Sequence, residues 1–182
     1  MSPEAALKRA NEPLSEDLEE IFRQHSRLVY RTAYSVTGSP QDAEDVVQTL
    51  FLQLLRRGLP PDFRKNPTAY LYRAAVNVSL NAVKSRRRHV SAVDPARLEL
   101  VADAHVSDPD TDLQERLVRA MSQLNPRAVE MLILRYQHNS SEAEIGALLG
   151  TSRGVVAVTL FRARARLKKL LRASSGEKYE TR

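Results

Sequence analysis

The sequence has no cysteine and no tryptophan, and only six of its 182 residues are glycine. Without cysteine the chain can form neither disulfides nor thiolate metal sites. No stretch approaches the roughly twenty consecutive apolar residues that a membrane-spanning helix needs, so we expect no membrane insertion. The first twenty residues are polar and acidic, which predicts that there is no secretory signal peptide and that the protein is cytoplasmic.

The chain also lacks any sustained alternation of apolar and polar residues, the pattern typical of a half-buried strand. Its apolar residues instead recur at steps of three and four, so the predicted fold class is all-α. Lysine and arginine outnumber aspartate and glutamate by 28 to 22, which gives a net charge of +6 and a pI near 9.8. This excess favours a polyanionic partner, but alone it does not separate nucleic acid from a membrane surface.

The segment between residues 141 and 171 predicts a helix-turn-helix. Ser141 and Glu144 form a capping box, which begins a helix, and Gly150 supplies the left-handed residue that ends it. Ser152 can then cap a second helix. The apolar stripe of this helix alternates steps of four and three and consists of Val156, Leu160, Ala163, Leu167 and Leu170. The second helix of such a pair enters the DNA major groove.

The outer face of this second helix is basic. Residues 154–172 contain no acid, and the cations away from the stripe are Arg162, Arg164, Arg166, Lys168, Lys169 and Arg172. A run of charge is more often only a solvated surface. On the second helix of a helix-turn-helix, however, it favours DNA binding.

The N-terminal half contains three further predicted helices. A polar N-terminal segment is expected to fray before the first one, which Ser15 is predicted to cap. This helix is predicted to run to Gly38, and its expected inward face includes Leu18, Phe22 and Val29.

Cap-and-proline pairs begin the next two helices. Ser39-Pro40 starts a helix with an acidic outer side, and Asn66-Pro67 starts a long helix that runs to about Arg88. Residues 59–65 hold two prolines and are predicted to be a loop between these helices.

The long helix carries an unusual polar face, whose members at steps of three or four are Tyr70, Arg73, Asn77, Asn81, Lys84 and Arg88. Asparagine is a poor helix former in mid-helix, so two aligned asparagines beside an aromatic ring and cations need a reason. A hydrated surface is the plain explanation. A nucleic-acid face explains more, because amides can bind base edges, a ring can stack and cations can bind phosphate.

Residues 89–111 differ in character from the helices around them. From residue 94 to residue 112, six acids stand against one arginine, which predicts an extended and flexible acidic linker. We therefore expect two small helical domains. One spans residues 14–88, and the other spans residues 112–173 and contains the helix-turn-helix.

Three groups of motifs occur in order along the chain. They are YSVTGSP and DAEDVVQ at residues 34–40 and 42–48, YLYRAAVNVSLN and RRR at residues 70–81 and 86–88, and LNPR and RAR at residues 124–127 and 162–164. With these motifs the chain resembles the bacterial RNA polymerase sigma factors of the extracytoplasmic-function type. In that family the first group binds the polymerase, the second melts and reads the −10 promoter element, and the third reads the −35 element.

The resemblance implies a role for each face. The implied polymerase-binding residues, on the clamp helices of the largest subunit, are Asp42, Glu44, Asp45, Gln48 and Phe51. The implied −10 residues are Tyr70, Arg73, Asn77, Asn81, Lys84, Arg86, Arg87 and Arg88, with residues 59–65 capturing a flipped base. The implied −35 residues, in a domain that also binds the flap of the second-largest subunit, are Ser152, Arg153, Gly154, Ala157, Thr159, Arg162 and Arg164. Core polymerase and promoter DNA are the implied partners, and the resemblance leaves open whether an anti-sigma factor also binds.

Several positions depart from the family pattern. Thr49 replaces a usual acid, Tyr70 a usual tryptophan, and Asn81 a common aspartate. In the second helix of the helix-turn-helix, residues 157–159 are Ala-Val-Thr, where the family commonly has Lys-Ser-Arg. Because these turns then carry few hydrogen-bonding side chains, we predict loose sequence discrimination at −35 and heavier reliance on the −10 element.

Two other classes of function fit parts of the sequence. A stand-alone helix-turn-helix regulator would bind operators, but it needs neither the acidic helix nor the asparagine face. An enzyme would need a reactive site, and the four histidines show no metal-ligand spacing, no glycine loop can cradle phosphate, and no nucleophile has a neighbouring base. We therefore expect no catalytic residue, no cofactor and no metal.

Overall fold

The structure is a computed structural model that describes the backbone of residues 3–93 and 109–174 and the side chains of residues 18–89 and 111–174. This part of the chain consists of eight helices and contains no strand, which confirms the all-α class. In chain order the helices are α1 (Pro3–Thr37), α2 (Pro40–Arg57), α3 (Pro61–Lys65), α4 (Pro67–Val93), α5 (Pro109–Met121), α6 (Pro126–Tyr136), α7 (Glu142–Leu149) and α8 (Arg153–Ser174). The centre of the predicted acidic linker, residues 94–108, lies outside the described residues.

Proline begins six of these eight helices, because its fixed φ suits the first helical turn, where its missing N–H has no intrahelical partner to lose. Pro40 and Pro67 do so as predicted, and Pro126 begins α6 after the cap at Asn125. Pro61 begins the short helix α3, so the prediction of a plain loop over residues 59–65 is wrong. Pro109 begins α5, three residues before the predicted start of the C-terminal domain at residue 112.

Two other predicted helix ends also differ from the structure. Helix α1 begins at Pro3, and Ser15 lies inside it rather than capping it. Residues 5–9, AALKR, are all strong helix formers, which explains the earlier start. Helix α4 continues past Arg88 to Val93, so the first residues of the predicted linker are helical.

Helices α1, α2 and α4 enclose the N-terminal core. Its buried residues are Leu18 and Val29 from α1, Val47, Leu50 and Leu54 from α2, Phe63 from α3, and Leu71 and Ala75 from α4. The predicted inward face of α1 is wrong at Phe22, whose side chain is exposed at the surface. Its neighbours Leu18 and Val29 face the core as predicted.

The helix-turn-helix forms as the sequence predicts. The Ser141 hydroxyl accepts from the Glu144 N–H at 3.2 Å, and the Glu144 carboxylate accepts from the Ser141 N–H at 2.7 Å. Gly150 ends α7 in the left-handed region at φ 65°. The Ser152 hydroxyl then accepts from the Val155 N–H at 3.3 Å and caps α8.

The two domains pack against each other through a second apolar stripe on α4. Tyr72, Val76 and Leu80 are buried in one continuous cluster with residues of α6, α7 and α8, among them Ile145 and Val156. Since successive residues of a helix are about 100° apart, this stripe lies on a different side of α4 from Leu71 and Ala75. This interface was not among the features predicted from the sequence.

Polar contacts surround the apolar part of the interface. The Gln114 side chain of α5 donates to the Gly38 carbonyl at 2.8 Å, and the Asn66 amide donates to the Leu148 carbonyl at 3.3 Å. The rings of Tyr72 and His138 meet edge to face, with centroids 5.1 Å apart. Both domains therefore hold defined positions in this arrangement.

No single helix among the described residues is long and apolar enough to cross a membrane. Two consecutive helices, Glu142–Leu149 and Arg153–Ser174, reach the required length and apolar composition only when taken together, and the chain bends by 108° between them.

The tight turn of the helix-turn-helix yields a test of Gly146. A methyl group added at this glycine would lie 2.7 Å from the Thr151 carbonyl oxygen, which belongs to the backbone and cannot move aside cheaply. We expect Gly146→Ala to lower the free energy of unfolding by about 1–3 kcal/mol, measured by urea denaturation. Gly154→Ala is the matched control, because nothing lies within 4 Å of its added methyl group. The control should leave stability unchanged or raise it by up to about 1 kcal/mol, and equal losses in both variants would contradict this role of Gly146.

The interface also predicts a dependence of domain packing on pH. Burial lowers the pKa of His138 below its usual value, and the nearby positive charge of Arg31 lowers it further. The packed form therefore favours neutral His138, so packing is strongest above the ordinary histidine pKa of about 6.5 and weakens as the pH falls below it. The radius of gyration, measured by X-ray scattering, should rise between pH 7.5 and pH 5.5. His138→Phe keeps the ring and should reduce this rise, whereas an equal rise in the variant would exclude His138 as its cause.

Candidate protein and nucleic-acid interfaces

The exposed face of α2 carries the predicted acidic surface. Glu44, Asp45 and Gln48 point into solvent, opposite the buried residues of the same helix. Asp42 is different, because its carboxylate lies 2.6 Å from the Arg86 guanidinium of α4 and its side chain is partly buried. Two residues that were assigned to separate interfaces therefore form one ion pair, and only the other three polar side chains remain fully available to a partner.

The acidic face continues into an apolar patch that the sequence analysis missed. Phe51 packs edge to face against Phe22 of α1, with ring centroids 4.9 Å apart. Phe22, Leu52 and Leu55 are each about half exposed and border one groove between α1 and α2. Leu52 and Leu55 lie on the outer side of α2, away from its buried residues. An acidic end followed by an apolar end is a surface suited to binding a protein with a complementary pattern.

The polar face of α4 is exposed over most of its length. Arg73, Asn77, Asn81, Lys84, Arg87 and Arg88 are solvent-exposed, and only Arg86 pairs with an acid in the described structure. Tyr70 is half-buried, because its ring packs edge to face on the buried Phe63 of α3, with centroids 5.6 Å apart. Residues 59–65 are thus held beside the start of this face by an aromatic contact.

The polar face runs along the edge where the two domains meet. Arg73 and Asn77 border a crevice whose other wall is formed by Asn125, Arg127 and Glu130 at the start of α6. Glu130 is only 2% exposed, and its carboxylate accepts from Arg127 at 2.8 Å. Burial raises the pKa of Glu130, while Arg127 and, across the crevice, Arg73 lower it.

Arg127 also fastens α6 to the helix-turn-helix. Besides binding Glu130, its guanidinium donates to the Leu149 carbonyl at the end of α7, at 2.6 Å. A carbonyl at a helix C-terminus has no intrahelical partner and carries the negative end of the helix dipole, so a cation stabilises it. The geometry assigns Arg127 to holding the domain together rather than to binding a ligand.

The predicted −35 residues on α8 are distributed over several sides of the helix. Arg153 lies 3.5 Å from Glu142, Arg164 donates to the Tyr136 hydroxyl at 3.5 Å, and Ser152 is occupied as the helix cap. Ala157 and Thr159 are half-buried at the flanks of the apolar stripe. Gly154 and Arg162 are exposed. Val155, Val158 and Phe161 are also exposed on the first turns of α8.

Side chains that could ligate a metal are not clustered in the described ranges. Within residues 18–89 and 111–174, no three histidine or acidic side chains are placed to hold a metal ion. Burial raises the pKa of the Tyr72 hydroxyl to about 12, which makes it a poor acid or base at neutral pH. Three surfaces are exposed: an acidic and apolar face on α2, an amide-rich cationic face on α4, and a helix-turn-helix with a basic outer side.

Two protein families match the chain in the order of its two domains. The family described as Sigma-70 region 2 matches residues 21–89, and the family described as Sigma-70, region 4 matches residues 114–167. The first range lies within helices α1 to α4, and the second lies within helices α5 to α8.

The chain is also similar to characterised proteins over most of its length. It is 31% identical to the RNA polymerase sigma-E factor of Streptomyces antibioticus, over 85% of this chain and 84% of that protein. It is 31% identical to the ECF RNA polymerase sigma factor SigE of Mycolicibacterium smegmatis, over 87% of this chain and 63% of that protein. A solved structure of CnrH in complex with the cytosolic domain of CnrY is 24% identical, covers 91% of this chain and 94% of that one, and superposes with a TM-score of 0.47.

Proposed function

Because this chain belongs to the sigma-70 family, in its extracytoplasmic-function group, and so directs RNA polymerase to promoter DNA for transcription initiation, we propose how its surfaces divide that work. The exposed face of α2 binds core polymerase. The polar face of α4 binds and opens the −10 element, and α8 contacts the −35 element in duplex form. One observation carries this proposal: the three surfaces lie on three different helices, and each surface is exposed to solvent.

The α2 surface supports polymerase binding by its two-part chemistry. Glu44, Asp45 and Gln48 can meet a basic partner surface, and the adjoining Phe22, Leu52 and Leu55 can bury apolar area on the same partner. Interfaces gain most of their affinity from such buried apolar anchors, while charges steer the encounter. We assign the clamp helices of the largest polymerase subunit to this face, and the flap of the second-largest subunit to the C-terminal domain.

The α4 surface supports strand opening because it offers amides and cations without acids. Asn77 and Asn81 lie one turn apart and are both exposed, so they can bind base edges that become accessible when the strands part. Lys84, Arg87 and Arg88 continue the same side of the helix and can hold the phosphate backbone. Arg86 serves instead to join α4 to α2 through Asp42.

Simultaneous binding of both promoter elements requires the two domains to part. The elements lie about 25 base pairs apart, which at about 3.4 Å per pair is roughly 85 Å. A compact chain of this length has a radius of gyration of only about 16 Å. We therefore infer that the packed arrangement belongs to the free protein, and that polymerase and promoter binding separate α4 from α6 and α7.

Two further assignments follow from this role. The protein acts by binding and has no catalytic activity of its own, since the polymerase carries out the chemistry. It works in the cytoplasm, where its polymerase and DNA are found. A stand-alone operator-binding regulator is no longer needed to explain the helix-turn-helix, because the region 2 domain accompanies it.

The division of labour predicts that the α2 and α4 faces fail separately. Asp45→Arg should abolish association with core polymerase through a charge clash, whereas Glu115→Arg, which reverses an exposed acid on α5, should leave it intact. Asn77→Ala combined with Asn81→Ala should preserve association and block strand opening. Co-elution with core polymerase measures the first step, and permanganate reactivity of promoter thymines measures the second.

Either of two results would contradict this assignment. One is unchanged permanganate reactivity in the double asparagine variant, which would remove the −10 role of the α4 face. The other is full association of Asp45→Arg with core polymerase.

A further inference from the structure

The outer side of α8 carries a strip of apolar side chains that the fold does not use. Val155, Val158 and Phe161 are 51%, 49% and 68% exposed, respectively. The core is already served by another side of this helix, where Val156, Leu160 and Ala163 are buried. The Phe161 ring is about two-thirds exposed and lies beside two exposed valines. The stability of a monomer does not require such an exposed apolar group.

The strip lies where a helix-turn-helix meets the base edges. It occupies the first three turns of α8, directly after the cap at Ser152, which are the turns of a recognition helix that reach furthest into the major groove. Gly154 and Ala165 lie along the same line of the helix, so the outer surface there offers almost no hydrogen-bonding side chain. Thr159 is half-buried and Arg153 lies beside Glu142, so neither adds to it.

The charge around the strip identifies the class of partner. Residues 154–172 contain no acid, and Arg162, Arg166, Lys168 and Lys169 are all exposed and have no ion pair within the described structure. The apolar strip is followed along α8 by cations that no acid neutralises. Such a surface complements a polyanion that carries apolar groups in a groove. The DNA major groove provides this combination, because every thymine presents a C5-methyl group there between two phosphate backbones.

We propose that Val155, Val158 and Phe161 read thymine methyl groups in the −35 element, while the cations from Arg162 onward bind the flanking phosphates. This inference rests on the proposed function of the C-terminal domain. It also refines the expectation that the −35 sequence is discriminated loosely. The domain selects thymine over cytosine through the methyl group, and it discriminates weakly between bases at positions that present no methyl group.

The first experiment identifies the bases that the strip selects. Holoenzyme reconstituted from this chain and core polymerase is used to select from a pool of duplex promoter fragments randomised in the −35 region. We expect enrichment of thymine on one or both strands at adjacent positions. Selection dominated by guanine or cytosine at those positions would overturn the inference.

The second experiment removes single methyl groups without altering any hydrogen bond. Each selected thymine is replaced by deoxyuridine, and holoenzyme affinity is measured by competition. Burial of one methyl group predicts a loss of about three- to fivefold at each contacted position. Deoxyuridine at a position outside the −35 region is the control and should change nothing.

Protein variants then locate the contact. In Val158→Ala combined with Phe161→Ala, the deoxyuridine penalty should disappear at the positions that these two side chains contact, because the methyl group there no longer has a partner to lose. Arg162→Ala is the matched control; it should weaken binding to all sequences, reduce the salt slope by about one, and keep the penalty. All three side chains are exposed, so helical content should be unchanged in both variants.

The remaining outcomes separate this inference from the proposed function. A deoxyuridine penalty that persists unchanged in the Val158 and Phe161 variant overturns the inference alone. If that variant instead loses association with core polymerase in the absence of DNA, the strip binds protein and the inference is also overturned. If the unaltered chain fails to associate with core polymerase, the proposed function itself falls, and the thymine assignment falls with it.

Discussion

Helix α4 is enclosed from two sides, and the rest of the structure depends on this constraint. Leu71 and Ala75 pack into the core with α1 and α2, while Tyr72, Val76 and Leu80 pack into the cluster of the C-terminal domain. Only one sector of the helix remains, and it holds the asparagines and cations. The same helix thus joins the two domains and presents the surface assigned to DNA. Because the sector assigned to DNA borders the crevice between the domains, we expect domain packing and DNA binding to be coupled through this helix.

Local structure was largely predictable because its determinants are local. The capping box at Ser141, the glycine end at Gly150 and the prolines at helix starts act within one turn of the chain. The loop prediction for residues 59–65 failed because its prolines were taken only as helix breakers, although Pro61 begins a helix. The predictions also missed Gly146, whose requirement arises from the Thr151 carbonyl folded back beside it.

The domain interface and the ion pair could not be predicted, because they depend on partners distant in sequence. The apolar residues of α4 occupy two sectors, and a hydrophobic pattern does not reveal which other helix covers each one. Asp42 and Arg86 were assigned to different ligands, yet they bind each other across 44 residues of sequence. Phe22 and Phe161 show the converse case, since the pattern alone does not distinguish an apolar residue of the core from one exposed at a binding surface. The candidate faces could be located from the sequence. Only the structure shows which of their side chains are paired within the fold and which remain exposed for a partner.

The central claim is that the packed arrangement is a state of the free chain that promoter binding must undo. The chain has no cysteine, so Lys65→Cys and Ala147→Cys place two spin labels at defined sites. These residues adjoin Asn66 and Leu148, which are hydrogen-bonded across the interface at 3.3 Å. Double electron–electron resonance should find one short distance in the free protein. With core polymerase and a duplex promoter, that distance should be replaced by one several tens of Å longer, as the spacing of the two elements demands. A short distance that persists in an active promoter complex would contradict the account.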